Sequence, residues 1–321
     1  MCAMSVSEMK GAIAKPCKDK LDAVVNCTQE LVLGKEHQIR LALACLLARG
    51  HLLIEDIPGV GKTLLAQALA RGLGLDYQRI QFTSDLLPAD ILGISVYDRE
   101  TGSFQFHPGP IFAQLILADE VNRATPKAQS ALLEAMEEHQ VTQEGETRKL
   151  PEPFFVIATQ NPSNQVGTFP LPESQLDRFL MRLALGYPDA TAERALLRGR
   201  DRREMVREMP PSLGPDDLAV IQRRVPEQQV SDALLDYLQD VVAFTRESPE
   251  FRNGLSPRAS LAALHSAQAW ALMEGRDYVI PEDLQVVLPP VVAHRLRPAQ
   301  DEGDWSALAA AEKLLGQVPI P

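Results

Sequence analysis

The stretch that decides the fold is HLLIEDIPGVGKT, residues 51–63, in which a short apolar run leads into a glycine-rich loop. The apolar run predicts a buried strand, and residues 64–71 have the spacing of a helix. Glycines at this junction let backbone N–H groups surround a phosphate at the start of the helix. The motif G-x-x-x-x-G-K-[ST] indicates that Lys62 contacts the β- and γ-phosphates and that Thr63 binds Mg²⁺. Asp56 stands where the motif has its first glycine.

Short apolar runs recur along the chain from residue 52 to residue 181. They are Leu52-Leu53-Ile54, Ile80-Gln81-Phe82, Leu115-Ile116-Leu117-Ala118, Phe154-Phe155-Val156-Ile157-Ala158 and Phe179-Leu180-Met181. Continuous runs of this kind are typical of parallel strands that are buried on both faces. Because amphipathic helical stretches separate them, residues 31–188 predict an α/β domain with a parallel sheet between helices.

Helical patterns without strands occupy the two ends of the chain. Residues 1–30 predict a helical lead-in, and residues 189–321 predict a small all-α domain. Helices in that domain are predicted to start at Thr191, Ser231, Ser256 and Pro281. In the third of these helices, we expect Leu261 and Leu264 to face inward and Gly275 to end the helix.

Composition limits the class of protein. The chain has 321 residues, of which 45% are apolar and 23% are charged, values that are average for globular proteins. Its formal net charge of −11 argues against nucleic acid as a partner, because such binding needs basic surface. The cysteines lack zinc-site spacing and are predicted to be reduced thiols: Cys2, Cys17, Cys27 and Cys45. With no apolar segment of signal-peptide or membrane-spanning length, we expect a cytoplasmic protein without a transmembrane segment.

The run at residues 115–118 is followed directly by two acids, Asp119 and Glu120. Ionised carboxylates at the tip of a buried strand are costly unless they are paired or bound to a metal ion. With a phosphate loop in the same chain, Asp119 is predicted to bind Mg²⁺, and Glu120 to be the base that prepares water. Two acids at an ordinary strand-to-helix turn are the alternative.

Three further polar residues are candidates for the same site. Asn161 follows the strand predicted at residues 154–158, where an amide can align the attacking water, although Asn before Pro also favours turns. Arg178 is either a nucleotide contact or half of a surface Asp–Arg pair. Arg258 lies in the first turn of a predicted helix, where a cation opposes the helix dipole, and a bound triphosphate would offset that cost.

Taken in order, these residues resemble the functional elements of an AAA+ ATPase: Walker A at Lys62-Thr63, Walker B at Asp119-Glu120, sensor 1 at Asn161, the arginine finger at Arg178 and sensor 2 at Arg258. From about residue 30 to 300, the connecting sequence resembles the MoxR family of the helix-2-insert clade. The segments that carry this resemblance are GPIF (109–112), ADEVNRATPK (118–127), QSALLEAMEE (129–138), ATQNP (158–162), LPESQLDRF (171–179) and GLSPRA (254–259). Asp56 fits it, because the family often has Glu-Asp-hydrophobic-Pro-Gly-x-Gly-Lys-Thr in this loop.

The resemblance implies a homo-oligomeric ring, usually hexameric, with ATP and Mg²⁺ at each subunit interface. It implies that Arg178 acts in trans on a neighbour's nucleotide, that Arg258 acts in cis, and that Val32, Leu33 and Gly34 hold the adenine. The loop residues expected to bind the nucleotide are Pro58, Gly59, Val60, Gly61, Lys62, Thr63 and Leu64. Relatives act as chaperone-like remodellers or activators of partner proteins, which often carry a von Willebrand factor A domain.

Two segments outside the motifs are candidates for partner contacts. Residues 93–109, with Tyr97, Phe104 and Phe106, resemble the helix-2 insert, and residues 140–151 predict a hairpin. In related ATPases such hairpins face the pore of the ring; solvated loops are the alternative.

The sequence leaves rival functions open. They are a nucleotide-gated binding switch with negligible turnover, a magnesium-chelatase-like motor subunit and a nucleic-acid motor. The acidic net charge and the scarcity of basic residues beside the aromatics of the hairpins argue against the last.

Overall fold

A computed structural model of the chain describes residues 6–100, 102–161, 168–299 and 307–320; Cys2 lies outside these residues. The described strands are β1 Leu52–Glu55, β2 Tyr77–Gln81, β3 Gly93–Asp98, β4 Ser103–Pro108, β5 Leu115–Asp119, β6 Gln140–Gln143, β7 Glu146–Lys149, β8 Phe155–Gln160 and β9 Met181–Leu183. The described α-helices are α1 Val6–Gln29, α2 Glu36–Leu47, α3 Lys62–Gly72, α4 Pro88–Leu92, α5 Pro126–Glu138, α6 Glu173–Leu176, α7 Ala190–Arg198, α8 Arg202–Glu208, α9 Pro215–Arg224, α10 Asp232–Glu247, α11 Pro257–Met273, α12 Pro281–Val292 and α13 Ala307–Gln317.

Five of the strands form a parallel sheet in the order β2-β5-β8-β1-β9. Along β1, Leu52 and Ile54 belong to one buried cluster and Leu53 to another on the opposite face. Helices therefore cover both faces, as predicted for a parallel sheet of apolar strands. The α/β fold with a parallel sheet between helices is confirmed.

The last strand of the sheet, β9, begins later in the chain than predicted. The apolar run covers residues 179–181, whereas β9 begins at Met181. The carbonyls of Phe179 and Leu180 accept hydrogen bonds from the Arg295 guanidinium at 2.7 and 3.0 Å, so a side chain occupies them in place of a neighbouring strand. Phe179 is nevertheless fully buried, which explains why its apolar character misled the prediction.

The larger apolar cluster joins α1, α2 and α3 to the helical region that consists of α7 to α13. Leu21, Val24 and Val25 of α1 are buried in it, so the helical lead-in is part of the main core. Among the residues described, no helix is both long enough and apolar enough to cross a membrane.

The helical region confirms some predicted helix starts and corrects others. Ser231 and Ser256 cap α10 and α11 as predicted, but α7 is capped by Asp189, whose Oδ1 accepts from the N–H of Thr191. Leu261 was expected to face inward, yet it is 54% exposed. The helical pattern predicted the wrong buried face, because small residues such as Ala259, Ala262 and Ala263 form the buried face of α11.

Candidate functional site

A cavity of about 1,400 Å³ opens beside the phosphate loop, at the carboxyl end of the sheet. It brings together most of the residues predicted from the motifs: Pro58, Gly59, Gly61, Lys62, Thr63, Leu64, Asp119, Glu120 and Asn161. Gly59 and Gly61 have φ angles of +86° and +98°, which residues with side chains rarely adopt. Ligands of open α/β sheets bind at this edge, outside the carboxyl ends of the strands.

Lys62 is held by the loop that it follows. Its side chain is largely buried, and Nζ donates to the carbonyl oxygens of Asp56 at 2.6 Å and Ile57 at 2.9 Å. Burial lowers the pKa of Lys62 from its ordinary value, and the negative charges of Asp56, Asp119 and Glu120 oppose that shift. The ammonium group therefore lies in the field of Asp119 and Glu120, the acids predicted to act with it, and of Asp56.

Asp119, the last residue of β5, is paired on both sides. Its Oδ2 accepts from Arg79 Nη2 at 2.7 Å and Nε at 3.1 Å, and its Oδ1 accepts from Thr159 Oγ1 at 2.6 Å. The parallel pairing of β2 with β5 brings Arg79 there, two residues before the end of β2. Sequence reasoning missed Arg79 and Thr159, which lie just outside the predicted apolar runs: Arg79 directly precedes Ile80, and Thr159 directly follows Ala158.

The residues at this edge fit a bound Mg²⁺ ion. Thr63 and Asp119 line the same cavity, and hydroxyl and carboxylate oxygens are the hard ligands that Mg²⁺ prefers. Because Arg79 already bonds to Asp119, a cation at this carboxylate competes with that guanidinium.

Glu120 is fixed by its backbone and by three side chains. Its φ of +58° is unusual for a residue other than glycine, and such strain clusters at functional sites. Oε1 accepts from Asn161 Nδ2 at 3.0 Å, while Oε2 accepts from Gln81 Nε2 at 3.1 Å and Arg123 Nη1 at 2.9 Å. The predicted base and the predicted sensor amide are thus in direct contact.

The two predicted arginines meet in a second cavity of about 260 Å³. Glu137, near the end of α5, pairs with both: its Oε2 lies 2.8 Å from Arg178 Nε, and its Oε1 accepts from Arg258 Nη2. The neighbour Asp177 pairs instead with Arg295 at 2.7 Å, so the predicted alternative of an Asp–Arg surface pair is not what Arg178 forms.

The two cavities lie at opposite ends of β1. Gly50 and His51, just before this strand, line the arginine cavity, while the phosphate loop follows Glu55. Four residues at about 3.3 Å each put roughly 13 Å of strand between them. The structure therefore differs from the expectation that Arg258 contacts the nucleotide of its own chain: with Arg178, it lies at the far end of the sheet.

The segment predicted to hold adenine does not line the phosphate-loop cavity among the residues described. Val32 is buried. Gly34 has φ +69°, and a Cβ there would lie 3.2 Å from Ala192 Cβ and 3.3 Å from Asp189 Oδ2. The segment Val32-Leu33-Gly34 thus packs against the start of α7, and its contact with adenine stays a prediction.

The hairpin predicted at residues 140–151 is present as β6–β7, and the segment that resembles the helix-2 insert forms a second hairpin, β3–β4. Tyr97 and Phe104 are directly opposite each other on the first hairpin and are 53% and 69% exposed. Arg148 of the second hairpin lies over the Phe106 ring of the first, with its guanidinium carbon 3.9 Å from the ring centroid. The two hairpins therefore contact each other and leave an aromatic pair open to solvent.

Comparisons with known proteins agree with this fold. Residues 51–181 match the model of the ATPase family associated with various cellular activities (AAA), and residues 243–312 match an AAA lid domain. The chain is 40% identical to Chaperone MoxR1 of Mycobacterium tuberculosis, over 86% of this chain and 75% of that protein. It is 33% identical to Protein MoxR of Paracoccus denitrificans, over 91% and 93%. The chain belongs to the MoxR family of AAA+ ATPases.

Two further relatives extend over nearly the full length of this MoxR-family chain. An uncharacterized protein YeaC of Bacillus subtilis is 44% identical over 94% of this chain and 95% of its own length. A crystal structure of a candidate ATPase from Cytophaga hutchinsonii superposes with a TM-score of 0.88, at 36% identity and 98% coverage of both chains. The lid match contains α11 and Arg258, and the AAA match contains the phosphate loop and Arg178.

Proposed function

We propose that this MoxR-family chain hydrolyses ATP to ADP and phosphate at a site shared by two copies, and that the cycle remodels or activates partner proteins. The observation that carries this proposal is the division of the predicted residues between the two ends of β1. The phosphate loop, Asp119, Glu120 and Asn161 line one cavity, while Arg178 and Arg258 line the other. A ring of copies related head to tail brings unlike surfaces of neighbours together.

The groups at the phosphate loop suit attack of water on the γ-phosphorus. Glu120 accepts a proton from the water, Asn161 aligns that water, and the bond from the γ-phosphorus to the bridging oxygen of ADP breaks. Lys62 offsets charge on the β- and γ-phosphates. Such catalysis depends on positioning and electrostatics more than on covalent chemistry, so this small set of groups suffices.

Mg²⁺, when bound by Thr63 and Asp119, supplies positive charge that offsets the negative charge of the phosphates. Arg79 would hold Asp119 in place through its hydrogen bonds to Oδ2.

Both arginines are proposed to act in trans. Glu137 aligns the two guanidinium groups side by side, one on each carboxylate oxygen. Two cations on one carboxylate leave positive charge for a triphosphate on the adjacent copy. A trans arginine contributes on the order of 10³–10⁵ to the rate in comparable sites, so an isolated copy would be slow.

We propose a hexameric ring in the cytoplasm as the working form, with a von Willebrand factor A-domain protein among its partners. The described cysteines Cys17, Cys27 and Cys45 are free thiols, which suits a reducing compartment. The exposed pair Tyr97 and Phe104 offers partner proteins an apolar contact.

A nucleotide-gated binding switch is a second candidate, and the pairing of Glu120 favours it. With Gln81, Arg123 and Asn161 all donating to its carboxylate, the base has fewer lone pairs for water. If those bonds persist with nucleotide bound, turnover would be negligible, and the ATP state would only select a partner.

ATP turnover per subunit, measured against protein concentration with light scattering on the same samples, separates the two candidates. The shared-site ATPase predicts a rate that rises as copies assemble and is absent in Lys62→Ala. A rate near zero in a nucleotide-bound oligomer would instead support the switch. Pull-downs of partners in MgATP and in MgADP would then come next.

A further inference from the structure

Asp56, which stands where the standard phosphate-loop motif has a glycine, uses its side chain to bond to a distant part of the chain. Asp56 is 9% exposed, and its carboxylate accepts three backbone N–H bonds. Oδ1 accepts from Ile57 at 2.8 Å, and Oδ2 accepts from Leu185 and Gly186 at 2.6 Å each. The last two donors are 129 and 130 residues further along the chain, where the sheet ends and the helical region begins. We call residues 185–187 the hinge segment.

The carboxylate depends on these donors because it is nearly buried. An ion that has lost most of its hydration is costly unless hydrogen bonds compensate it. Hydrogen bonds to ionised groups are shorter and about twice as strong as neutral ones. If the hinge segment moved away, the Asp56 carboxylate would lose two of these three donors. The start of the phosphate loop and the hinge segment are therefore linked energetically.

The same part of the loop holds Lys62. Its Nζ donates to the carbonyl oxygens of Asp56 and Ile57, which uses two of the three N–H groups of the ammonium. A phosphate at the loop competes for those N–H groups. When Lys62 turns to the phosphate, the carbonyl oxygens of Asp56 and Ile57 each lose this donor, so the two consecutive peptide groups that follow Asp56 and Ile57 are held less firmly.

The hinge segment can pass such a change to the helical region. Gly186 has φ +64°, a conformation that glycine adopts readily. The next residue, Tyr187, accepts a hydrogen bond at its carbonyl oxygen from Lys35 Nζ at 2.7 Å. Helix α7, the first of the helical region, begins three residues later at Ala190. A rotation at Gly186 therefore alters the direction in which α7 leaves the sheet.

We propose that Asp56 is a positioning residue that couples nucleotide in the phosphate loop to the orientation of the helical region, through its two hydrogen bonds to the hinge segment. The proposal rests on the proposed function in one respect, that nucleotide binds at this loop. A glycine, which the standard motif has at this position, has no side chain to make the connection. Because Arg258 belongs to the helical region, the coupling would let the nucleotide of one copy set the position of an arginine that serves another.

Hydrogen exchange of the Leu185 and Gly186 amides in the full chain, with and without MgADP, tests the proposal. Asp56→Gly creates the standard motif GIPGVGKT, so we expect nucleotide binding within about threefold of wild type. Without nucleotide, both amides should exchange about tenfold faster than in wild type, because they lose a charged acceptor. MgADP should change the exchange rates of these amides in wild type, and it should not change them in Asp56→Gly. Asp56→Asn, which keeps the shape and removes the charge, is the second variant should the glycine loosen the loop.

Asp189→Asn is the matched control. Asp189 is a carboxylate of the same region, and its Oδ1 caps α7 by accepting from the N–H groups of Thr191 and Ala192. These bonds do not involve the phosphate loop. This variant should keep the response of the hinge amides to MgADP.

Each outcome bears on one claim. Wild type that binds MgADP without any change at the hinge amides would overturn the coupling and leave the proposed ATPase intact. So would Asp56 variants that keep the full response. If wild type binds no nucleotide, the proposed function fails, and the coupling fails with it. Unchanged exchange in Asp56→Gly without nucleotide would show that the carboxylate does not hold the hinge segment.

Discussion

The cavity beside the phosphate loop and the cavity around the arginines differ in how their charges are paired. In the first, acids meet cations of the same chain: Asp119 pairs with Arg79, and Glu120 with Arg123. In the second, Asp177 pairs with Arg295, whereas the one carboxylate of Glu137 serves two guanidinium groups. One end of β1 thus offers a loop and a base, and the other offers positive charge beyond what Glu137 offsets. This difference is what a site completed by a neighbouring copy requires.

Removal of Arg178, from the arginine cavity, should have the largest effect on activity. Arg178→Ala should lower kcat by about 10³-fold or more, because a trans arginine stabilises charge in the transition state. The Kd for MgATP should change little, since the phosphate loop is at the other end of β1. Steady-state turnover and calorimetric titration measure the two quantities. A variant with near-normal kcat would show that the arginine cavity is not part of the reaction.

Glu120→Gln tests the other cavity. Loss of the base should lower kcat by about 10²–10⁴-fold, while the amide keeps the size of the side chain and one oxygen that can accept a hydrogen bond. Filter binding of MgATP should stay near wild type, and single-turnover hydrolysis should be slow. Rapid hydrolysis by this variant would assign the base to another residue.

Glu137→Gln should lower kcat less than the two variants above. The variant removes the charge that aligns Arg178 and Arg258, so kcat should fall about 10- to 100-fold with an unchanged Kd for MgATP. Glu138→Gln is the matched control, since that neighbouring acid is exposed. Equal rates for the two variants would mean that the shared carboxylate does not position the arginines.

His51, which lines the arginine cavity, should also make folding stability depend on pH. Burial lowers the pKa of His51 to about 4, and in the folded protein its Nδ1 accepts from the N–H of Val156. The unfolded chain protonates this histidine near pH 6.5, so it binds more protons than the folded chain between pH 6.5 and pH 4. The free energy of unfolding should therefore fall by about 3 kcal/mol as pH falls through that window.

Urea titrations of wild type and His51→Asn at several pH values between 7 and 4 measure that loss. Asparagine cannot take up the proton, so the variant should show a shallower pH dependence, whatever its stability at pH 7. Parallel curves for the two proteins would contradict the contribution of His51.

Local motifs predicted much of the phosphate-loop cavity. Lys62 and Asn161 follow strands of the parallel sheet and Asp119 ends another, and the carboxyl ends of such strands meet at one edge. The arginine cavity was harder to foresee, because its central contact joins Glu137 and Arg258 across 121 residues. Only packing of the helical region on the sheet brings these two residues together.

The bond from Asp56 to Leu185 is hidden from sequence reasoning for the same reason, since it joins residues 129 apart. Periodicity failed in a different way at Leu261. A helical pattern reports that apolar residues share a face, but α11 buries its alanines and leaves that leucine exposed beside the arginine cavity. Which stripe is buried depends on how closely the neighbouring helices approach.

Mixing of two inactive variants tests the shared site most directly. Lys62→Ala keeps both arginines but lacks the lysine proposed to bind phosphate, whereas Arg178→Ala keeps the phosphate loop but lacks the proposed trans arginine. Each alone should hydrolyse ATP at background rates. In a random mixture, about a quarter of the interfaces in a ring join an intact loop to an intact arginine, so ATPase activity should return to roughly that fraction of wild type. Mixed oligomers without any recovery of activity would contradict a site built from two copies.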